Sequence, residues 1–366
     1  MSRPAASSPL IVINGRFLAA RVATGVQRYS REMVQALLDL DSPYRWLIVA
    51  PHTASPRGLP GVRRDGVPLS GYLWELIRLP WLARQAGAAL LWSPANTAPL
   101  VTGGLPQVVT MADAAVFAQP AWFSPAFSAF YRLLLPRLGR LARKIVTPSR
   151  FSRSELLKYR VITREQDIVV VPHGLTAFSD PGPVVLQELG LAAGQPFVLA
   201  LGPGDPRKNL ERLLAVWAGL PAGVKQGRRL VMVGPRGRLS PGNTYPSVVW
   251  LDYVNDRRLA ALYAHAEALV YPSLYEGFGL PPLEALAAGT PVLASRAGAL
   301  IEVLGDAALF CDPYSREDMQ AQLTRLLTDA ALRDDLRRRG RERVARFSWE
   351  NAARQLLRVF QEVLGR

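Results

Sequence analysis

The sequence predicts an α/β protein made of two αβα domains, each a parallel sheet with helices on both faces. Three observations lead there. Short apolar runs alternate with longer segments of helical period along the chain. That rhythm breaks once, in the Pro/Gly-rich stretch "PHGLTAFSDPGPVVLQELGLAAGQP" (residues 172 to 196), and then resumes. A length of 366 residues is long for one core and ordinary for two.

In chain order, "LIVI", "RWLIVA", "ALLWSP", "QVVTMAD", "KIVTPS" and "DIVVVP" are expected as buried strands of a first domain, residues 1–178. Helical segments lie between them: in "VQRYSREMVQALLDL", Val26, Tyr29, Met33, Leu37 and Leu40 share one face. After the break, "FVLALG", "RLVMVG", "VVWLDY", "ALVYPS", "PVLAS" and "ALFCD" are the strands of a second domain, residues 179–347. The closing segment "SWENAARQLLRVFQEVL" has a helix cap in Ser348, Glu350 just after it and an apolar stripe. Residues 348–366 are expected to pack back on the first domain. Sheets of this type carry their ligand loops at the carboxyl ends of the strands, so the two Rossmann-like domains are expected to face a central cleft.

Composition narrows the class. A hydrophobic content of 49% with 20% charged residues is globular, not disordered. One cysteine, Cys311, excludes an internal disulfide framework and fits a reducing compartment. The apolar run near the N-terminus, Leu10 to Ile13, is too short for a signal-peptide core, and no stretch reaches the ~20 apolar residues that span a bilayer. A cytoplasmic protein is expected, at most peripheral on the membrane's cytoplasmic face.

The net charge is +15. Much of it lies between residues 132 and 160, in Arg132, Arg137, Arg140, Arg143, Lys144, Arg150, Arg153, Lys158 and Arg160 against Glu155 alone. Such a face suits nucleic acid, anionic lipid or a phosphorylated substrate, or is simply the solvated face of arginine-rich helices. No nucleic-acid recognition motif accompanies the charge, so no nucleic-acid partner is expected. Three scattered histidines and one cysteine offer no metal-ligand spacing. His52 and His265 are expected to be structural, and His173 to line the cleft or support the hinge.

The chemistry is expected in the loops after strands. "YEGFGLPPLEALAAGTPVLAS" (275 to 295) follows a strand expected to end at Ser273, with a helix opening at Pro281 or Pro282. Between them, the amides of Gly277, Phe278, Gly279 and Leu280 form a turn near a helix N-terminus, which attracts anions and sugar oxygens. Glu276 stands at the mouth of this loop, and Glu284 is expected in the helix's first turn. Alone, Glu276 reads as a solvated loop residue and Glu284 as an acid complementing the helix dipole. Together, two carboxylates offset along one loop suit an extended ligand with a diol at each end.

This stretch resembles the E-x7-E signature of family 4 glycosyltransferases, retaining enzymes with the GT-B fold of two Rossmann-like domains. The resemblance implies that Glu276 contacts hydroxyls of the transferred sugar, that Glu284 binds the nucleotide ribose, and that the amides of Gly277 to Leu280 line the sugar and diphosphate site. "LALGPGDPRKNLERLL" resembles the family's G-x-x-x-P-R-K-N segment, which implies that Lys208, helped by Arg207, neutralises the diphosphate leaving group. Pro203 stands where many relatives carry another arginine. With four lysines against forty arginines in the chain, an ammonium at 208 also departs from its habit. In "NGRFLAARVATGVQRY", the resemblance implies that Gly25 brings backbone close to donor or acceptor; alone, a glycine before a helix is a turn. "VVTMADAAVF" departs from the family: relatives usually carry His-Asp, and here Ala112 precedes Asp113. Either Asp113 or another group takes over part of the histidine's role, or activity is reduced or specialised.

Two segments, "GYLWELIRLPWLARQAGAALLW" and "AWFSPAFSAFYRLLLPRLGRLARK", mix aromatics with arginines. Most of their Leu and Phe residues are expected in the core. The arginines with Trp74 or Trp81 leave a docking face for anionic lipid open.

The resemblance thus implies a retaining, metal-independent glycosyltransferase without a cofactor. It would move a hexose from a nucleotide-diphosphate sugar, GDP-mannose first, to a hydroxyl of a glycan or lipid-linked oligosaccharide in cell-surface polysaccharide synthesis. A non-catalytic nucleotide-sugar- or glycan-binding scaffold, suggested by Ala112 alone, and a sugar-nucleotide epimerase of the same fold are the alternatives.

Overall fold

A computed structural model describes residues 8–20, 25–56, 58–69, 71–176, 178–192, 194–202, 204–235 and 246–365. It divides into two compact units, residues 1–174 with 348–366 and residues 175–347.

Unit 1 holds a seven-stranded sheet whose strands all run parallel: β1 (Leu10–Asn14), β2 (Arg45–Ala50), β3 (Val62–Arg64), β4 (Leu90–Ser93), β5 (Gln107–Thr110), β6 (Lys144–Thr147) and β7 (Ile168–Val170). Their order is β3-β2-β1-β4-β5-β6-β7, with Ile11 opposite Trp46 on one side and Leu90 on the other. The winding direction reverses between β1 and β4, and in such sheets that is where a ligand crevice forms. β1, β4 and β5 are buried throughout, as expected of strands covered on both faces. β3 is a difference from the sequence reading. Its "VRR" is a short, exposed edge strand with no apolar run to announce it.

The Gly25–Asp39 helix buries Tyr29, Met33, Val34 and Leu37, and the Trp349–Val363 helix lies against it. Ser348 caps that last helix, its hydroxyl accepting from the Asn351 amide at 3.1 Å. Fully buried Phe360 sits 5.9 Å from Trp92 and 6.3 Å from Trp46, ring to ring. The start of the same helix meets the end of the sheet. A side chain at Gly174 would come within 2.3 Å of the Trp349 amide, so only glycine admits this approach.

Unit 2 repeats the plan with six parallel strands: β8 (Phe197–Leu201), β9 (Arg229–Val233), β10 (Val248–Leu251), β11 (Ala268–Tyr271), β12 (Val292–Ser295) and β13 (Leu309–Cys311). The order β10-β9-β8-β11-β12-β13 reverses its winding between β8 and β11. Trp217 and Leu213 of the Leu210–Gly219 helix and Met319 and Leu323 of the Arg316–Thr328 helix fill one side of this sheet. Cys311 is a buried free thiol, which burial pushes up to about 12, so it packs as an inert apolar group. Among the described residues, no helix is long and apolar enough to cross a membrane.

The end of the unit 1 sheet carries a stacked trio. His173, 8% exposed, lies 4.3 Å from the Tyr29 ring and 6.2 Å from Trp349. Burial pushes its imidazole down to about 3 from the usual 6.5. Between those values the unfolded chain takes up a proton that the folded chain refuses. The contribution is therefore complete above pH 6.5 and is lost as pH falls through that window. We expect unit 1 to lose up to about 1.4 kcal/mol per pH unit below that point, and His173→Phe to remove the loss. Denaturant titrations at about pH 7 and about pH 5.5 check this, and the same pH dependence in both proteins would contradict it.

Candidate functional site

The two motif loops of unit 2 follow β8 and β11, the strands that flank its switch point, where Ala268 pairs with Val198 and Leu269 with Leu199. After β8 the chain turns at Gly202, whose φ of +81° favours glycine; a Cβ there would approach the Lys208 Cγ to 3.1 Å. Pro203 lies outside the described residues. Asp205 then caps a 3₁₀ turn, Pro206–Lys208, accepting from the Arg207 amide at 3.0 Å. Asn209, at φ 56°, opens the Leu210–Gly219 helix and donates to the carbonyls of Pro272 (3.2 Å) and Pro313 (2.8 Å). Leu274 donates its amide to the Arg207 carbonyl at 2.7 Å. The turn is thus tied to the loops after β11 and β13.

The tie aims Lys208 across the switch point. Its ammonium donates to Glu276 Oε1 at 2.6 Å and to the Tyr271 hydroxyl at 2.5 Å. Burial pulls this amine down, but the Glu276 carboxylate and the Tyr271 oxygen more than offset that and hold it above the usual lysine value. Burial and Glu276 likewise push the Tyr271 phenol up, so it stays a neutral acceptor. The result is a half-buried cation that is charged at any physiological pH. Arg207 is arranged differently: its guanidinium grips Asp205, with Nη2 at 2.6 Å from Oδ2, so its charge is already matched.

The 276 loop is fixed by its own contacts. Phe278, 5% exposed, packs edge-on against Phe347 at 5.8 Å. Gly279, at φ 98°, caps the Leu280–Ala287 helix, and a Cβ there would strike Leu300 at 2.6 Å. The helix therefore starts one residue before Pro281. The expectation for Glu284 is corrected: it is the fifth helical residue, not in the first turn, and so does not serve as a dipole-complementing acid. It is 5% exposed and accepts from the Tyr263 hydroxyl at 2.9 Å.

A third loop completes the support. Ala299 donates its amide to the Glu276 carbonyl at 2.9 Å. Gly298, at φ +59°, lies so close that a Cβ would fall 2.4 Å from the Glu276 carbonyl oxygen and 2.6 Å from its nitrogen. Tyr271, Asp205 and Gly298 were not singled out from the sequence. A glycine three residues past the end of a strand was the only local signal for Gly298, and none existed for Tyr271.

Unit 1 holds the remaining predicted residues. Gly25 is exposed at the start of its helix, and a Cβ there would meet no protein atom within 4 Å, so packing does not demand glycine. Residues 21–24, just before it, lie outside the described residues. Asp113 accepts from the Ala115 amide at 2.8 Å in the turn before the short Ala115–Ala118 helix, while the Ala112 amide donates to Asn96 Oδ1 at 2.7 Å. Met111 is buried in the core. His52 is exposed, and His265 lies 3.2 Å from Asp180.

The lipid reading of Trp74 is also corrected. Trp74 is fully buried and donates to Asp65 at 3.0 Å, because residues 74–78 form a π turn that brings Trp74 and Glu75 inward. Leu73 (60% exposed), Ile77 (60%) and Trp81 (50%) are left outside, with the Arg78 guanidinium 4.6 Å over the Trp81 ring. Of the basic run, Lys144 pairs with Glu362, Arg153 with Glu165 and Lys158 with Glu155, while Arg132, Arg137, Arg140, Arg143 and Arg160 are exposed.

Three comparisons bear on this geometry. The sequence profile of the family described as Glycosyl transferases group 1 matches residues 184–343, which include Lys208, Glu276 and Glu284. The chain is 34% identical over 269 residues to O-antigen chain mannosyltransferase B of Escherichia coli, covering 69% of this chain and 70% of that one. It is 32% identical over 298 residues to MMP alpha-(1->4)-mannosyltransferase of Mycolicibacterium hassiacum, covering 76% and 69%. In fold it is similar to sucrose-phosphate synthase from Thermosynechococcus elongatus, with a TM-score of 0.75 over 98% of this chain and 99% of the other at 22% identity. Fold and relatives together define a glycosyltransferase with the GT-B fold. The chain belongs to the group 1 glycosyl transferases.

Gly298→Ala should cost unit 2 about 1–3 kcal/mol, since it forces a non-glycine residue into left-handed backbone against the Glu276 main chain. Denaturant unfolding measures this. Wild-type stability would contradict the role given to that loop.

Proposed function

We propose that the protein is a retaining mannosyltransferase that uses a nucleotide-diphosphate sugar, GDP-mannose first, and extends a cell-surface polysaccharide or its lipid-linked precursor. The observation that carries this reading is the Lys208–Glu276 contact at the switch point of unit 2, at 2.6 Å. The names of the two mannosyltransferase relatives support the choice of sugar.

In this reading Lys208 supplies a fixed positive charge where the diphosphate departs, and such preorganised charge stabilises a leaving group without reorganisation. The N-terminus of the Leu280–Ala287 helix adds its partial positive charge to the same end of the loop. When donor binds, Glu276 exchanges its hold on Lys208 for hydroxyls of the sugar and keeps the ring in position for attack. Glu284, kept in place by Tyr263, holds the ribose. The acceptor hydroxyl attacks on the face that the diphosphate leaves, and the departing phosphate oxygen takes its proton. Protein cations provide the charge, so no metal ion is invoked. Arg207 contributes less than Lys208, because Asp205 already matches it.

The protein's place of work in this reading is the cytoplasmic face of a membrane. The exposed Leu73, Ile77 and Trp81, beside Arg78 and Arg84, are the surface proposed to touch anionic lipid. Co-sedimentation with anionic vesicles at physiological salt checks this, and a protein that stays in the supernatant would contradict it.

Lys208→Ala and Glu276→Ala should each cut turnover by a factor of about 100 or more while the fold is retained, in line with the loss of a preorganised electrostatic contact. Glu284→Ala should act on donor affinity. Mannosyl transfer from GDP-mannose to a mannose-terminated acceptor, with product anomers read by NMR, is the assay. An inverted product, or full activity in the Lys208 or Glu276 variant, would overturn the proposal.

A further inference from the structure

The Lys208 ammonium carries three protons, and two are committed: one to Glu276 Oε1 at 2.6 Å, the other to the Tyr271 hydroxyl at 2.5 Å. The two partners are mounted differently. Tyr271 is the last residue of β11, opposite Ala294 of β12, and is 1% exposed. Glu276 stands beyond the strand, in the loop, with 14% of its side chain exposed. The strand end and the 3₁₀ turn are also joined twice in succession. Lys208 bonds Tyr271, and Asn209 donates to the carbonyl of the next residue, Pro272, at 3.2 Å. One partner of the lysine is thus part of the sheet, and the other sits on a loop.

The partners also differ in charge. Burial and the nearby carboxylate push the Tyr271 phenol up, so it stays neutral. A neutral oxygen fixes the ammonium in place and leaves its charge to a ligand, whereas a carboxylate fixes it and cancels it. When Glu276 turns to the sugar, it releases a charge on a flexible four-carbon stem. Gly202 packs against that stem at Cγ but does not reach its tip. Among the described residues, Tyr271 is then the side chain that still holds the ammonium. Without it the cation turns to water and ceases to be preorganised.

We infer that Tyr271 is the positioning residue that keeps the Lys208 ammonium aimed at the diphosphate once Glu276 has let it go. It acts through Lys208. The inference rests on the donor reading of unit 2 given above, and it has a consequence of its own. With a bare nucleoside diphosphate Glu276 stays on Lys208, and the phenol is redundant. With a nucleotide sugar Glu276 is drawn away, and the phenol decides where the charge points.

The test is calorimetric binding of GDP, UDP, dTDP and their hexose conjugates to the full chain, continued with whichever base wild type binds. Tyr271→Phe should keep its affinity for the nucleoside diphosphate within twofold and lose at least tenfold for the nucleotide sugar, the scale of a hydrogen bond to a charged group. In a Glu276→Ala background the lysine depends on Tyr271 even without sugar. There, adding Tyr271→Phe should weaken the bare diphosphate at least tenfold, a coupling that a merely structural tyrosine does not show. If Tyr271→Phe does not fold, replacement of Tyr271 by 4-aminophenylalanine, of the same shape but a poor acceptor, takes its place with the same expected results. Nucleotide-sugar affinity within twofold of wild type overturns the inference. Equal losses for diphosphate and nucleotide sugar, or additive effects in the double variant, overturn it too. Wild type that binds none of the probes would instead defeat the donor reading, and the inference with it.

Discussion

The contact between Lys208 and Glu276 is the constraint around which unit 2 is arranged. An ammonium and a carboxylate both withdrawn from water are costly unless each finds the other and further hydrogen bonds besides. Here the partners come from loops after adjacent strands, 68 residues apart in sequence. Each surrounding irregularity serves to bring them together. Gly202 gives way to the lysine stem, Asn209 turns left-handed to tie the 3₁₀ turn to two neighbouring loops, and Gly298 lets a third loop lie against the glutamate backbone. Tyr271 takes a second of the ammonium's three donor positions. Such an arrangement is strained and over-determined, which is characteristic of a site held ready for a ligand.

Unit 1 solves a related problem at its own switch point. Glu75 is more deeply buried than Glu276, yet it meets a guanidinium, a threonine hydroxyl and an asparagine amide at once. Both units place a cation beside a carboxylate where the sheet changes direction, because there the two strand ends diverge and leave a crevice that side chains fill. They differ in what they offer a ligand. The lysine of unit 2 is a compact point charge that can turn to a phosphate, whereas the arginine of unit 1 is locked as a fork between its partners.

The sequence was most legible where the determinants were local. Each apolar run read as a strand became one, since parallel strands covered on both faces need continuous apolar sequence. The "PRKN" and "EGFGLPPLE" segments stood out for the same reason, being short and self-contained. "VRR" at β3 was missed because an exposed edge strand needs no apolar run. Trp74 was not legible as buried because what holds it inward is a hydrogen bond to Asp65 in the preceding loop, which no local pattern announces. Glu284 lies one or two residues further into the helix than a start at Pro281 or Pro282 implies, because left-handed Gly279 caps the helix from further back. The partnerships of Lys208 with Tyr271 and of Arg16 with Glu75 join residues about sixty apart, and no local pattern announces them.

The central claim is that Lys208 is the charge that receives a diphosphate. Calorimetric binding of the nucleoside diphosphate and the monophosphate of one base, to wild type and to Lys208→Ala, tests it without any turnover. The account predicts that wild type prefers the diphosphate by a factor of ten or more and that the variant loses most of that preference while still binding the monophosphate. An undiminished preference in the variant would contradict the account, because the second phosphate would then be held elsewhere.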